Sequence, residues 1–209
     1  MSMADAMREQ LRQRRETLDG GAEHVGWKIG INGPDVQQQL GIDEPVLGYL
    51  TSATVVEDGA EFDASGAEKL MAEPEVAIEL GEGEAIAGLA AAIELVDTGR
   101  PPRGERVEGI VADNIFHSAV VLGERASGLP SRAIVRVNGE ERASAEFTDD
   151  HEEVVRVAAR RLAEGGESLS SGDRIIAGSI TPQVGPLEPG DELEVEVAGL
   201  GSLRVRIAA

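Results

Sequence analysis

The chain has 209 residues, a formal charge of −20 and no cysteine. That length suits one sizeable core rather than two full domains, and the missing cysteines exclude disulfides, thiolate metal sites and cysteine nucleophiles. The acidity argues against nucleic acid and anionic membrane surfaces as partners. No run of about 18 apolar residues offers a transmembrane helix. The charged segment Met1 to Leu18 lacks the apolar centre of a secretory signal, so the expected compartment is the cytosol.

In chain order, "ADAMREQLRQRRETL" (4–18) predicts an amphipathic helix stopped by Gly20-Gly21. "HVGWKIGI" (24–31) reads as a strand, and "GPDVQQQLG" (33–41) as a short helix with Pro34 in its first turn and Gly41 past its end. A turn and a strand follow over 44–56, then a polar loop over 57–70. Residues 73–80 read as a strand, 81–92 ("GEGEAIAGLAAA") as a low-complexity connection with a helical turn, and 92–97 ("AIELVD") as a strand. "GRPPRGER" (99–106) is an exposed loop, 107–119 looks helical, and "VVLGE" is a strand. Residues 133–147 alternate around Asn138-Gly139, a hairpin signature. Asp149 or Asp150 caps a helix through "HEEVVRVAARRLAEGG"; a strand "DRIIAGSI" and a second hairpin over 189–207, turning at Gly199-Leu200-Gly201, complete the chain. Strands dominate and helices lie outside them, so the fold class is α+β with a largely β core. Aromatics are few, which leaves the core to Val, Ile, Leu and Ala and provides no platform for stacking bases or sugars. The basic residues are nearly all Arg, with Lys28 and Lys69 the two exceptions. An acid-rich, lysine-poor chain suits a high-salt cytosol, and a coding bias toward Arg and Ala would look the same.

The chemistry-bearing residues begin at "EPEVAIEL". In an extended segment, Glu73 and Glu75 point to one face, and Pro74 favours extension at Glu73. Paired carboxylates repel unless a cation or a proton neutralises them, and an all-oxygen donor set suits Mg²⁺, Mn²⁺ or Ca²⁺. Glu94 lies between apolar neighbours in "AIELVD" and needs a partner of its own. A solvated strand face would account for Glu73 and Glu75 equally well, and a cation such as Arg100 could satisfy Glu94, so spacing alone leaves the matter open.

Five stretches taken together resemble the 2-keto-4-pentenoate hydratase and 4-oxalocrotonate decarboxylase group of the fumarylacetoacetate hydrolase superfamily: 26–50, 73–80, 92–97, "VADNIFHSAVVLG" (111–123) and 175–207. The resemblance implies a mixed β-roll with flanking helices, the catalytic domain covering 26–209 as one unit behind a short helical segment at 1–25. It implies Mg²⁺ or Mn²⁺ held by Glu73, Glu75 and Glu94, a catalytic lysine at Lys28, and pocket-lining "ADN" and "GS" motifs, here Asp113-Asn114 and Gly178-Ser179, with Asn114 and Ser179 expected on the substrate. It implies hydration of a small 2-hydroxy-dienoic acid, 2-hydroxypenta-2,4-dienoate to 4-hydroxy-2-oxopentanoate, as in aromatic-compound degradation. Decarboxylation, tautomerisation or acylpyruvate hydrolysis on the same metal site, or a non-catalytic partner subunit, are the alternatives. A homo-oligomer, or assembly with a related subunit, is usual in the group. The chain departs from the pattern at Val46, where hydratases of the group carry an acid; Asp43 or Glu44 are the nearby acids that could stand in. The stretch between Glu75 and Glu94 is short, as is the region before Trp27. Phe116 and His117 occupy places that small residues usually fill, and His117 is either an acid or base near the pocket or a histidine on a helix surface, the second being the more ordinary.

Overall fold

The computed structural model describes residues 1–99 and 106–209. Most of the expected loop at 99–106, including Arg100, lies outside the described residues.

Helix α1 (Met3–Asp19) starts at a capping box: Asp5 N donates to Ser2 Oγ, and Ser2 N donates to the Asp5 carboxylate. Strand β1 (His24–Gly30) leads to α2 (Pro34–Leu40), whose end is closed by Gly41 in the left-handed region, φ +70°. Strand β2 (Val46–Thr51) and the two-residue β3 (Val55–Val56) flank a single 3₁₀ turn at Ser52–Thr54. The expected loop at 57–70 contains a short strand, β4 (Glu61–Asp63). Its partner lies at the far end of the chain, so nothing local announces it.

Strands β5 (Leu70–Leu80) and β6 (Ile86–Asp97) form the longest pair in the molecule. β6 begins well inside the stretch expected to be a connection. Alanine and glycine are poor strand formers, but Ala90 and Ala92 are buried in a cluster with Ala77, Leu50 and Ile176, and tertiary packing overrides the local preference. Helix α3 (Val107–Ala112) ends sooner than the 107–119 reading predicts. Asn114, Ile115 and Phe116 all adopt positive φ, between 55° and 59°, and the chain enters strand β7 (His117–Leu122). Left-handed Ile and Phe are costly. Local propensity gives no hint of them, and the surrounding structure supplies the reason described below.

The hairpin of β8 (Arg132–Val137) and β9 (Glu140–Glu146) turns at Asn138-Gly139, both at positive φ. Helix α4 (His151–Glu164) is capped by Asp150, which accepts from the N–H groups of Glu152 and Glu153. Then come β10 (Arg174–Ala177), β11 (Glu192–Val197) and β12 (Gly201–Ala208). Seven strands form one curled sheet in the order β2-β1-β10-β5-β6-β7-β3, and five form a second in the order β4-β12-β11-β8-β9. Ile78, Leu80, Ile93 and Leu95 of the first sheet meet Val135, Leu193, Val195 and Val205 of the second, with Leu162 of α4 and Leu11 of α1 closing the same core. β8 and β11 alternate buried and half-buried, as one-sided strands should, whereas β5 and β6 are buried on both faces over most of their length. The second face of the large sheet therefore has its own environment, and the site is built there.

Candidate metal and active site

Alternation along β5 sends Ala72, Val76, Ile78 and Leu80 into the main core and Glu73, Glu75 and Ala77 to the opposite face. In the antiparallel register Glu73 sits directly across from Glu94, and Glu75 across from Ala92. Glu94 thus shares the face of the pair, and one oxygen from each of the three carboxylates lies within 4.8 Å of the others. Lys28 reaches the same face from β1, because Trp27 and Ile29 on either side of it point into the main core.

Glu75 and Glu94 are buried to within 2 % of full coverage, and so is Lys28. The Lys28 Nζ donates to Glu94 Oε1 and, at 3.1 Å, to the carbonyl of Ile115. An ammonium has three hydrogens, so one remains for a ligand. The left-handed run Asn114–Phe116 aims that carbonyl inward and keeps Asn114 beside β2. The Asn114 side chain accepts from Tyr49 N (2.8 Å) and donates to Tyr49 O (3.0 Å). Glu73 accepts from Gln183 Nε2 at 2.7 Å, and Glu75 Oε1 accepts from Ser179 N at 3.4 Å. Glu75 Oε2 is buried with no partner.

Burial, then the neighbouring Glu94, pushes the Glu73 carboxyl up; burial followed by Glu94 and Glu73 pushes Glu75 well above the usual carboxylate range. Burial opposes ionisation of Glu94 too, but Lys28 and His117 outweigh it and hold that carboxyl down. The group is short of positive charge. Three hard carboxylate donors, one with an orphaned buried oxygen, are what a divalent cation of the Mg²⁺ or Mn²⁺ type would complete.

A cavity of about 750 Å³ opens beside the cluster. Lys28, Glu73, Gly178 and Ser179 form part of its wall, Phe116, Ile110, Leu40 and Val36 supply an apolar side, and Asp149 reaches it from the exposed loop ahead of α4. Desolvation there pushes the Asp149 carboxyl up. Among the described residues of the wall, Lys28 is the one cation. Asn114 and Asp113 are not part of the wall, to which the same segment contributes Ile115 and Phe116 instead. Val46 is buried in an apolar cluster with Ile110 and Val111. Glu44 pairs with Arg160 and Arg161 and is not part of the cavity wall, and neither is Asp43.

His117 does not lie on a helix surface. It opens β7, its side chain is 2 % exposed, and its ring touches Glu94. Nothing in the sequence points Gln183 to the cavity, and Asp149 is marked only as an alternative helix cap: both sit in irregular segments that come to the cavity through the fold.

With this geometry in hand, comparison with known proteins places the chain in a class. The profile of the fumarylacetoacetate (FAA) hydrolase C-terminal domain matches residues 24–208, and the chain belongs to that family. It is 30 % identical over 227 residues to a 4-oxalocrotonate decarboxylase of Pseudomonas putida, covering 99 % of this chain and 86 % of the relative. It is 29 % identical to a 2-keto-4-pentenoate hydratase of Paraburkholderia xenovorans, covering 92 % and 78 %. The solved 4-oxalocrotonate decarboxylase from Pseudomonas putida G7, complexed with magnesium and adipate, superposes with a TM-score of 0.88 at 27 % identity over 99 % of this chain and 86 % of that one.

Proposed function

We propose that this protein is a divalent-metal-dependent lyase that hydrates a small 2-hydroxy-dienoic acid, 2-hydroxypenta-2,4-dienoate, to 4-hydroxy-2-oxopentanoate. The observation that carries the reading is the convergence of Glu73, Glu75 and Glu94 around an unpartnered buried carboxylate oxygen, with Lys28 bonded alongside. Relatives at about 30 % identity carry hydratase and decarboxylase names, and a solved relative was found with magnesium.

In this reading Glu73, Glu75 and Glu94 hold Mg²⁺ or Mn²⁺. When bound, the cation supplies a Lewis acid for the carboxylate and keto oxygens of the substrate. Lys28 presents its free N–H to the substrate and moves a proton, which an arginine could not do. Its two protein bonds fix the ammonium in place, so no side-chain ordering remains to be done on binding. Ser179 lies against the substrate through its place in the wall, while Asn114 acts behind it by holding Tyr49 of β2. Phe116, Ile110 and Leu40 cover the carbon chain and keep stray water away. Adding water across a carbon–carbon double bond needs a group to accept a proton from the water, and Asp149, facing the cavity with a raised carboxyl, is placed for that task where Val46 is not. The reading extends to a homo-oligomer, which light scattering of the purified protein decides.

The apolar setting of Val46 favours a second reading on the same site, decarboxylation of a vinylogous 2-oxo acid, which requires no attacking water. Incubation with Mg²⁺ and each substrate separates the two: a hydroxylated product supports hydration, release of CO₂ supports decarboxylation, and metal binding without turnover of any 2-oxo acid refutes both.

A further inference from the structure

Strict alternation along β7 would send His117 into the main core with Ala119 and Val121. The register does not allow it. Leu95 pairs with Ala119, and the next residue, Val96, pairs with His117, so Ser118 is an extra residue in a β-bulge. A bulge of this kind re-aims the side chain beside it. Here it turns His117 onto the face of its partner Val96, which is the face of Glu94.

On that face the ring is clamped at both nitrogens. Nδ1 lies 2.7 Å from Glu94 Oε1, and Nε2 lies 2.9 Å from Thr54 Oγ1. A carboxylate only accepts, so Nδ1 carries the proton toward Glu94. Nε2 then accepts from the Thr54 hydroxyl, whose other acceptor, Thr51 O, is farther off at 3.2 Å. Thr54 ends the single 3₁₀ turn between β2 and β3, and β3 pairs with β7 in parallel, so the strut is anchored in the sheet at both ends. Lys28 donates to the same oxygen of Glu94. Two donors therefore fix Oε1, and Oε2 is left for another partner. His117 is not part of the cavity wall and can act only through Glu94.

We infer that His117, braced by Thr54, is a positioning residue that fixes the orientation of Glu94 for a divalent cation. The inference rests on the metal-lyase reading above. Hydrogen-bond partners behind a metal ligand typically change metal affinity by 10–100-fold. The test measures Mn²⁺ binding to the purified protein by the loss of the free-ion EPR signal, alongside thermal unfolding in EDTA. Four proteins are compared: wild type, His117→Ala, His117→Asn and Thr54→Val. In His117→Asn the side-chain amide supplies an N–H in place of Nδ1–H and keeps the bond to Glu94.

The expected result is a 10–100-fold weaker Mn²⁺ affinity in His117→Ala. His117→Asn should recover most of the loss, and Thr54→Val should lose a few-fold. Tight wild-type binding with unchanged affinity in His117→Ala and Thr54→Val overturns the inference and leaves the metal reading standing. A loss in His117→Ala that His117→Asn does not recover, tracking instead a fall in unfolding temperature, also overturns it, because the ring would then be packing only. Absence of Mn²⁺ binding by the wild type itself overturns the metal reading together with the inference.

Discussion

Replacing Glu75 by Gln should stabilise the metal-free protein and cripple metal binding, two effects of opposite sign from one atom. The three clustered carboxylates have oxygens within 4.8 Å of one another. At that separation and an effective dielectric constant of about 20, each ionised pair repels by roughly 3.5 kcal/mol. Glu75 faces two such neighbours, and Lys28, bonded to Glu94, offsets part of the repulsion. Glutamine keeps the shape, can still accept from Ser179 N, and puts an N–H₂ donor where Oε2 has no partner. We expect a gain of about 1–3 kcal/mol in EDTA, somewhat below one full pair repulsion because the amide must also be buried. For a chain of this size that is a rise of roughly 2–12 °C in unfolding temperature. The sign with pH follows from the raised carboxyl. A group whose folded pKa exceeds its ordinary value of 4.5 contributes its stability below that value and loses it as pH rises through the folded pKa. The advantage of the variant in EDTA should therefore be small near pH 4.5 and open as the pH climbs. Glu94, with the opposite shift, is present in both proteins and largely cancels in the difference. Saturating Mn²⁺ should erase or reverse that advantage, since the variant lacks one carboxylate charge and its affinity should fall about 100-fold or more, a loss of roughly 2.7 kcal/mol or more. Differential scanning calorimetry with EDTA and with Mn²⁺ reads both arms. A variant less stable than wild type in EDTA at neutral pH would rule out net repulsion at Glu75, and one that Mn²⁺ stabilises as much as wild type would rule out Glu75 as a metal ligand.

Lys28→Arg keeps a cation near Glu94 but cannot release a proton; turnover should fall by about 10²–10⁴-fold, while Mn²⁺ binding followed by EPR stays within the same order. Asn114→Ala removes both bonds to the Tyr49 backbone inside a buried site and should cost about 1–3 kcal/mol in urea unfolding. Asp173 accepts from Trp27 Nε1 at 2.9 Å and bonds to His24 and Ser170 N; burial opposes its ionisation, but these bonds hold its carboxyl below 3.8. A depressed carboxyl stabilises above the ordinary value and loses the contribution as pH falls through the folded pKa, so the penalty of Asp173→Asn, measured by urea unfolding, should be full at pH 7 and shrink below about pH 4. With a net charge of −20, the unfolding temperature should rise on going from about 0.05 M to 1 M KCl as self-repulsion is screened, and an unchanged temperature would count against charge repulsion as a destabilising force.

The carboxylate site was legible in part. The i, i+2 spacing of Glu73 and Glu75 already placed them on one face of a strand, and the turn and cap residues at Asn138-Gly139, Gly41 and Asp150 marked real boundaries. The cross-strand meeting of Glu73 and Glu94 was not readable from spacing, because register depends on where β5 and β6 begin, and both begin earlier than propensity suggests. Only the family resemblance linked the third glutamate to the pair. The helix expected over 107–119 failed at three left-handed residues that the bonds to Lys28 and Tyr49 require and no local preference supplies. For His117 the more ordinary expectation, a helix surface, fails for a related reason: it lies in a strand, where one extra residue at Ser118 reverses the face on which it lands, and a bulge leaves no periodic trace in so short a strand.

The most direct test of the central claim is a crystal structure of the protein grown with Mn²⁺ and pyruvate, with anomalous scattering used to locate the metal. The expected result is one Mn²⁺ bound by Glu73, Glu75 and Glu94, with the keto acid chelated beside Lys28 in the cavity. A Mn²⁺ peak elsewhere, or three carboxylates that stay free of metal while pyruvate binds away from Lys28, would contradict it.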